Sequence, residues 1–325
     1  MLTLGIESTA HTFGSAIVKN KKILSNVKNS YTTTTGGIIP AELSEHHLNC
    51  FDEVIKNSLI DANVNINDVD VIAFSQGPGI GHALRIGANI ARSLALHYKK
   101  HLVGVNHCIA HLEIGRITKS KDPILLYCSG ANTQIIAYEG GKYRIFGETL
   151  DIGVGNFLDS IGRLLGLGFP AGPKIEEFAT RGKNYIELPY VVKGMDISLS
   201  GILTNLKQKI ELKKYSKEDL CYSTQETVFA MLLEVTERAM AHCNKSELVL
   251  GGGVACNKRL QDMARIMCEE RGAKLFVPNN QLLVDNAGMI AFLGEIMFKA
   301  GNMIQVEKAR IKPYERTDEV EVNWR

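Results

Sequence analysis

Residues 124–148 read ILLYCSGANTQIIAYEGGKYRIFGE. Three short apolar or β-branched runs, Ile124 to Ser129, Thr133 to Tyr138 and Tyr143 to Glu148, are divided by Ser129-Gly130 and Gly140-Gly141. That pattern predicts a three-strand meander. Residues 2–28, LTLGIESTAHTFGSAIVKNKKILSNVK, have the same rhythm, with runs Leu2 to Glu7, Phe13 to Lys19 and Ile23 to Lys28. The continuations match as well. In the first half, strand Val69 to Ser75 enters Gly77-Pro78-Gly79 and a helix through Leu96, then strand Leu102 to Val105 and a helix holding His107 and His111. In the second, strand Leu248 to Leu250 enters Gly251-Gly252-Gly253 and a helix through Arg271, then strand Leu275 to Val277 and a helix from about Asp285 to Lys299. The chain reads as one unit built twice.

Gly5 and Val71 lie 66 positions apart and Tyr127 and Val249 lie 122 apart, so the second copy carries 56 extra residues. A Gly-, Pro- and Lys-containing stretch at about 167–217 accommodates them. Amphipathic helices stand at matching places, with Leu43, His47, Phe51, Val54, Ile55 and Leu59 on one face and Val228, Met231, Leu232, Val235 and Ala239 on the other's. Strands alternating with helices predict an α/β fold of duplicated βββαβαβα units, two lobes around a central cleft. The expected lobes are 1–118 and 119–300, followed by a C-terminal tail, 301–325, whose polar, charged end, Arg316 to Arg325, is either a terminus or the start of a linker. One large α/β domain is the alternative. Ligands in open α/β sheets bind beyond the carboxyl ends of the strands, where both glycine loops lie.

Composition narrows the class. The chain has 325 residues, 22% charged and 45% apolar, enough for two cores. No apolar run reaches the roughly 18 residues of a membrane helix, and the first ten residues carry Glu7 rather than a basic leader, so a cytoplasmic protein is expected. Seven cysteines, never closer than twelve apart, provide neither a CxxC motif nor an even disulfide framework. A net charge of +2 is too small for a dedicated nucleic-acid-binding domain, so any such contact is local or shared with partners.

His107 and His111, four apart on a helix, place both imidazoles on one face, as a single metal requires; a solvated histidine face explains the same spacing. His97 and His101 share the spacing, but Lys99-Lys100 and the following strand put a helix end between them. Cys108 stands where a zincin needs its glutamate. Asp285 follows its strand much as His107 follows its own, so the two halves would point ligands at one another, although a helix-capping carboxylate accounts for Asp285 alone. The glycine loops suit close approach of an anion to main-chain N–H groups, yet neither is a P-loop, and Gly166 to Ala171 has no preceding strand for a Rossmann motif. Asp159 and Glu176 flank Gly172-Pro173-Lys174 and are placed to accept ribose hydroxyls, or are plain surface carboxylates. Lys207, Lys209, Lys213 and Lys214 form a basic cluster suited to tRNA or to a solvated helix face.

Gly5-Ile6-Glu7-Ser8-Thr9, Gly77-Pro78-Gly79 with Leu84-Arg85-Ile86-Gly87, Asn106-His107 to His111, Tyr127-Cys128-Ser129-Gly130-Ala131-Asn132-Thr133, Gly251-Gly252-Gly253-Val254-Ala255-Cys256-Asn257 and Asp285-Asn286-Ala287 together closely resemble the universal tRNA threonylcarbamoyltransferase family, formerly labelled O-sialoglycoprotein endopeptidase. The resemblance runs from residue 1 to about 318. Tyr127 before the Ser-Gly turn, and Cys108 to Ala110 between the histidines, resemble the archaeal and eukaryotic branch that works in the KEOPS complex. Ala131 departs from the glycine many relatives carry.

This resemblance implies the ASKHA fold of actin, sugar kinases and the Hsp70 ATPase. It implies that threonylcarbamoyl passes from threonylcarbamoyl-AMP to N6 of the adenosine beside the anticodon in tRNAs reading codons that begin with A. The implied catalytic residues are His107, His111 and Asp285, and the implied ligands of one divalent ion, iron or zinc, are His107, His111, Tyr127 and Asp285. The implied substrate contacts are Tyr127, Cys128, Ser129, Gly130, Ala131, Asp159, Gly172, Glu176 and Asn257, around an adenine nucleotide (threonylcarbamoyl-AMP, ATP or AMP). Implied partners are tRNA, the KEOPS kinase subunit, in some archaea fused at the C-terminus, and the small KEOPS subunits, with no membrane. An ASKHA ATPase or phosphotransferase, a nucleotide-gated scaffold and a metalloprotease are the rival readings.

Overall fold

The computed structural model of the chain describes residues 1–33 and 38–325. β1 (Leu2–Glu7), β2 (Thr12–Lys19) and β3 (Lys22–Ser30) form the first meander, followed by α1 (Pro40–Asp61), β4 (Val71–Gly77), α2 (Gly81–Tyr98), β5 (His101–Asn106) and α3 (His107–Ile114). The second copy begins with β6 (Ile124–Cys128), β7 (Thr133–Glu139) and β8 (Lys142–Glu148). It continues through α4 (Val154–Leu165), α5 (Gly172–Ala179), the hairpin β9 (Val192–Lys193) and β10 (Asp196–Ile197), and α6 (Ser200–Glu211). Then come α7 (Lys217–His242), β11 (Glu247–Gly251), α8 (Lys258–Arg271), β12 (Lys274–Phe276), α9 (Asn280–Leu283) and α10 (Ala287–Lys299). The two five-stranded sheets have the orders β3-β2-β1-β4-β5 and β8-β7-β6-β11-β12, the same order twice. In each, the meander is antiparallel and the last two strands join in parallel, with Gly5 opposite Ala73 and Leu126 opposite Leu250. The duplicated α/β architecture read from the sequence is the architecture of the chain.

The local chemistry accounts for these elements. β4 and β6 are buried along their whole length and β1 nearly so, and they read as continuous apolar runs, as strands covered on both faces do. The second hairpin of each meander turns on two consecutive left-handed residues, Asn20-Lys21 (φ 49° and 64°) between β2 and β3 and Gly140-Gly141 (φ 59° and 81°) between β7 and β8. That conformation matches the twist of a two-residue hairpin, and asparagine tolerates it nearly as glycine does. Lys99, at φ 53°, ends α2 and separates His97 from His101, which opens β5.

Three apolar cores stack through the molecule. One lies under α1 and α2 (Leu4, Ile6, Val54, Phe74, Ala88), and another lies between the second sheet and α7 (Leu126, Leu250, Phe229, Leu232). The third fills the space between the sheets and contains α3 and α10 with Ala73, Val105, Leu125, Tyr127 and Val249. α10 comes from the second copy yet lies on β1, so closely that a Cβ at Gly5 would sit 2.7 Å from the Ala291 nitrogen. Gly115, just after α3, would likewise place a Cβ 2.6 Å from Val249. The shared helix layer therefore brings the ends of β1, β5, β6 and β11 to one place.

Three local expectations are modified. The glycine loop after β11 does not run straight into a helix: a single 3-10 turn, Gly253–Cys256, intervenes and Asn257 starts α8. α10 starts at Ala287, capped by the Asn286 side chain on the Met289 N–H, which frees Asp285 from capping. The tail packs back on the protein: Lys312 N bonds Gln76 O at 2.8 Å, and Arg325 Nε bonds Glu113 at 2.9 Å. All seven cysteines are free thiols. Among the described residues, no helix is long and apolar enough to cross a membrane.

Asp151 fastens α6 to the second sheet by accepting from the N–H groups of Leu199 (2.9 Å) and Ser200 (2.9 Å) and from the Ser198 hydroxyl (2.6 Å). Partial burial opposes its ionisation, but these donors outweigh it and hold the carboxyl well below the usual carboxylate range. A depressed native pKa stabilises above the unfolded value, near 3.9, and that contribution is lost as pH falls toward the native value. Asp151→Ala is expected to lower stability by about 1 kcal/mol at neutral pH, the size of a helix cap, with the gap to wild type closing below about pH 4. Urea melts at pH 7 and pH 3 check this; a gap that does not change with pH refutes it.

Candidate active site

β5 ends at Asn106, whose side-chain oxygen caps α3 by accepting from Cys108 N (3.1 Å) and Ile109 N (3.2 Å). The helix that follows is buried throughout and carries His107 and His111 on one face, with ring centroids 4.8 Å apart. Glu7, at the end of β1 and fully buried, places Oε2 3.0 Å from His107 Nδ1. Its other oxygen accepts from the main-chain N–H and hydroxyl of Thr9, at 2.6 and 2.5 Å, and the same hydroxyl lies 3.2 Å from His107 Nδ1. A carboxylate on Nδ1 directs the Nε2 lone pair into the cleft.

Nε2 of His107 faces Asp285 Oδ1 at 3.3 Å and the Tyr127 hydroxyl at 3.1 Å, while Nε2 of His111 faces the same Asp285 oxygen at 3.4 Å. The Tyr127 ring lies 4.8 Å from that of His111. Histidines from the first copy and an aspartate from the second thus converge, their ligand atoms all within 4.8 Å of one another. Distances of 3.3 and 3.4 Å are long for N–H···O bonds. They match the edge of a coordination polyhedron: ligands about 2.1 Å from a tetrahedral ion are about 3.4 Å apart. Two imidazoles, a carboxylate and a phenol are a suitable donor set for a divalent ion such as zinc or iron.

The electrostatics agree. Burial works against ionisation of Asp285, but His107 and His111 outweigh it and hold the carboxyl well below its usual range. Burial lowers His111, leaving it a neutral donor, and its Nδ1 has no hydrogen-bond partner among the described residues. Burial also lowers His107, but Glu7 and Asp285 more than reverse this and raise it well above an ordinary imidazole. Two carboxylates around one imidazole make a place for positive charge, which a proton or a metal ion satisfies. Burial pushes the Tyr127 phenol well up, so it stays protonated unless a cation sits beside it.

The nucleotide positions expected from the sequence lie at the end of β6, on the β6–β7 turn, on α4 and α5 and at the start of α8. Ser129, Gly130 and Ala131 form the β6–β7 turn, in which Ser129 Oγ donates to Asn132 O at 2.9 Å; Gly130 and Ala131 are exposed. Gly155 and Asn156 N donate to the carbonyls of Ser129 and Gly130, seating the turn on α4. Cys128 turns its side chain into the second core, leaving only its main chain for a ligand. Gly252 packs directly on Cys128 and Ser129, whereas Gly253 and Gly172 face open space. Asp159 accepts from Ala171 N at 2.7 Å beside Gly172, and burial raises its carboxyl. Glu176 accepts from Lys258 N at 2.8 Å, next to Asn257. Asn257 is 7% exposed; its oxygen caps α8 and its NH2 bonds Gln225 at 2.5 Å. Lys207, Lys213 and Lys214 lie exposed at or beyond the end of α6, remote in sequence from the cleft elements.

Sequence reasoning missed four contributors. Glu7 and Thr9 as partners of His107 carry a faint signal, the Glu-x-Thr spacing after β1. Lys28, on the β3 face that also carries Asn26, feels the charge of Asp285, while burial lowers its pKa; nothing in the sequence distinguishes it from other lysines. Glu315, in the tail, accepts from Asn106 Nδ2 at 3.2 Å.

Comparisons with known proteins fit this geometry. The profile of the TsaD family, tRNA N6-adenosine threonylcarbamoyltransferase, matches residues 22–292. The tRNA N6-adenosine threonylcarbamoyltransferase of Thermococcus sibiricus is 58% identical over 324 residues, covering all of both chains. A probable bifunctional tRNA threonylcarbamoyladenosine biosynthesis protein of Methanosarcina mazei is 52% identical over 99% of this chain and 59% of its own length. Among solved structures, HypF of T. kodakarensis superposes with a TM-score of 0.66 at 16% identity, over 92% of this chain and 48% of that one. The fold is the ASKHA arrangement. With full-length identity above one half and a family profile over most of its length, the chain belongs to the tRNA N6-adenosine threonylcarbamoyltransferase family.

Proposed function

We propose that the chain transfers the threonylcarbamoyl group of threonylcarbamoyl-AMP to N6 of the adenosine beside the anticodon, in tRNAs reading codons that begin with A. The observation that carries this reading is the convergence of His107, His111 and Asp285, drawn from both copies, beside the turns that would hold a nucleotide. His107, His111, Asp285 and Tyr127 would hold one divalent ion, iron or zinc, which supplies Lewis acidity to the acyl carbonyl and, through its charge, favours ionised Tyr127. Glu7 and Thr9 fix His107 by its Nδ1. Gly130 and Ala131 of the turn and Gly253 of the loop would offer main-chain N–H groups to the phosphate, whereas those of Ser129 and Gly252 already donate to Asn132 O and Leu283 O, and Asp159 and Glu176 would each turn toward a ribose hydroxyl the oxygen that has no hydrogen-bond partner among the described residues. Gly172, with open space where a Cβ would stand, admits the sugar.

In the reaction, N6 bonds to the carbamoyl carbon, the bond from that carbon to the AMP phosphate oxygen breaks, and N6 gives up one proton. The chain contributes mainly by positioning the amine against the carbonyl and holding the departing AMP. The anticodon loop is single-stranded, so its adenosine can be splayed into the cleft. With a net charge of only +2, tRNA affinity calls for other chains, which we assign to a KEOPS-type assembly of small subunits and a kinase. A longer bifunctional relative is consistent with a fused partner. A tRNA substrate sets the compartment as the cytoplasm.

The test supplies threonylcarbamoyl-AMP, unmodified tRNA and partner subunits and measures modified adenosine by mass spectrometry. Product dependent on all of them is expected. ATP turnover with no modified adenosine would assign the cleft to a phosphotransferase instead.

A further inference from the structure

We propose that the C-terminal segment, residues 310–325, is a clamp on α3, with Glu315 and Arg325 as positioning residues for the metal centre; this rests on the metal reading above. α3 has only eight residues, too few to hold its own geometry, yet it carries both imidazoles. The segment meets it at three levels. At the start, Glu315 accepts from Nδ2 of Asn106, the residue that caps the helix immediately before His107. One residue into the helix, the buried Thr317 hydroxyl lies against the Cys108 thiol. At the far end, Arg325 Nε bonds Glu113 Oε1 at 2.9 Å, with the guanidinium over the Tyr138 ring at 4.7 Å.

Glu113 makes the last contact matter. It is fully buried and takes 2.7 Å from the Tyr143 hydroxyl and 3.1 Å from Arg116, besides Arg325. The Arg116 side chain is 36% exposed and that of Arg325 only 8%, so the ion pair to the tail is the less screened one. The clamp is tied down elsewhere. Gln76 bonds Arg310 O at 2.7 Å and Lys312 N at 2.8 Å, and Arg316 reaches Glu148 on β8 at 3.2 Å. It thus spans both sheets. Between the ties, a cavity of about 530 Å³ bordered by Gln76, Asn106, Glu315 and Trp324 opens beside the segment, while Val320, Val322 and Trp324 pack on the core that contains α3. The polar contacts fix where this packed segment meets the two ends of the helix. Holding both ends of the helix fixes the rotation of the face that presents His107 and His111 to Asp285.

The test uses the full chain stripped of metal by chelation and titrated with Co(II), whose absorption reports the ligand field. The proteins are wild type, His107→Ala, Glu315→Ala, Arg325→Ala and Arg325→Lys. Glu315→Ala and Arg325→Ala should each weaken Co(II) binding about 10-fold, the scale of losing an outer support of a metal ligand. Amides of Cys108 to His111 should exchange faster while α1 and α7 are unchanged, and Arg325→Lys should recover most of the affinity. A folded Glu315→Ala protein with wild-type Co(II) affinity and wild-type α3 exchange overturns the clamp, even if Arg325→Ala fails to fold. If wild type binds Co(II) no better than His107→Ala, the metal reading fails, and α3 exchange alone then decides the clamp.

Discussion

His107→Ala and Asp285→Ala are expected to reduce tRNA modification by about 10³-fold each while leaving the protein folded. His107 contributes one of the two imidazoles and Asp285 the carboxylate facing both, at 3.3 and 3.4 Å. Losing either opens the donor set. The Lewis acid at such a site contributes several kcal/mol to stabilising developing charge; about 4 kcal/mol at 1.36 kcal/mol per decade is about 10³. Metal content by elemental analysis should fall in parallel with the rate. The double variant should be little worse than either single one, because in the proposed site the two residues would hold the same ion and act as a unit. Wild-type yields of modified adenosine from both single variants would sink the mechanism, and so would full activity from metal-free protein.

Gly252→Ala should produce a large loss of stability from a single methyl group. Gly252 has φ 89° and ψ 161°, a conformation essentially confined to glycine. A Cβ there would overlap the carbonyl of Cys128 and stand 2.9 Å from Ser129 N, all main chain with no flexible end to swing aside. Strain of about 1–3 kcal/mol and overpacking of similar size together predict about 3 kcal/mol or more. At about 1.5 °C per kcal/mol for a chain of 325 residues, that is a fall in Tm of about 4 °C. Gly253→Ala, one position on, meets nothing within 4 Å and should leave Tm almost unchanged. Calorimetry on both variants is decisive: equal Tm values would mean that the two loops do not pack as described.

Some of the site was legible before any coordinates. The His107 and His111 spacing follows from 3.6 residues per turn, and Asp285 was placed by the internal repeat. The sequence left Asp285 as a possible cap; Asn286 takes that place on α10 and Asn106 the matching one on α3. Glu7 as the partner of His107 was not legible, since the two are a hundred residues apart and no local rule joins them. The tail was read as polar and indeterminate because Glu315 and Arg325 look like any surface charges until their partners, Asn106 and the buried Glu113, are known.

By itself the amino-acid order settled what local periodicity controls: two meanders, the helices and strands that follow each, glycine at the turns, and two imidazoles on one helical face. These depend on neighbours within a few positions, where side-chain alternation and backbone preference dominate. Tertiary structure alone decided that α3 and α10, from different copies, share one layer between the sheets. That packing brings a carboxylate 174 positions along the chain to within 3.4 Å of His111, and it depends on shape complementarity such as Gly5 against Ala291, which no periodicity reveals.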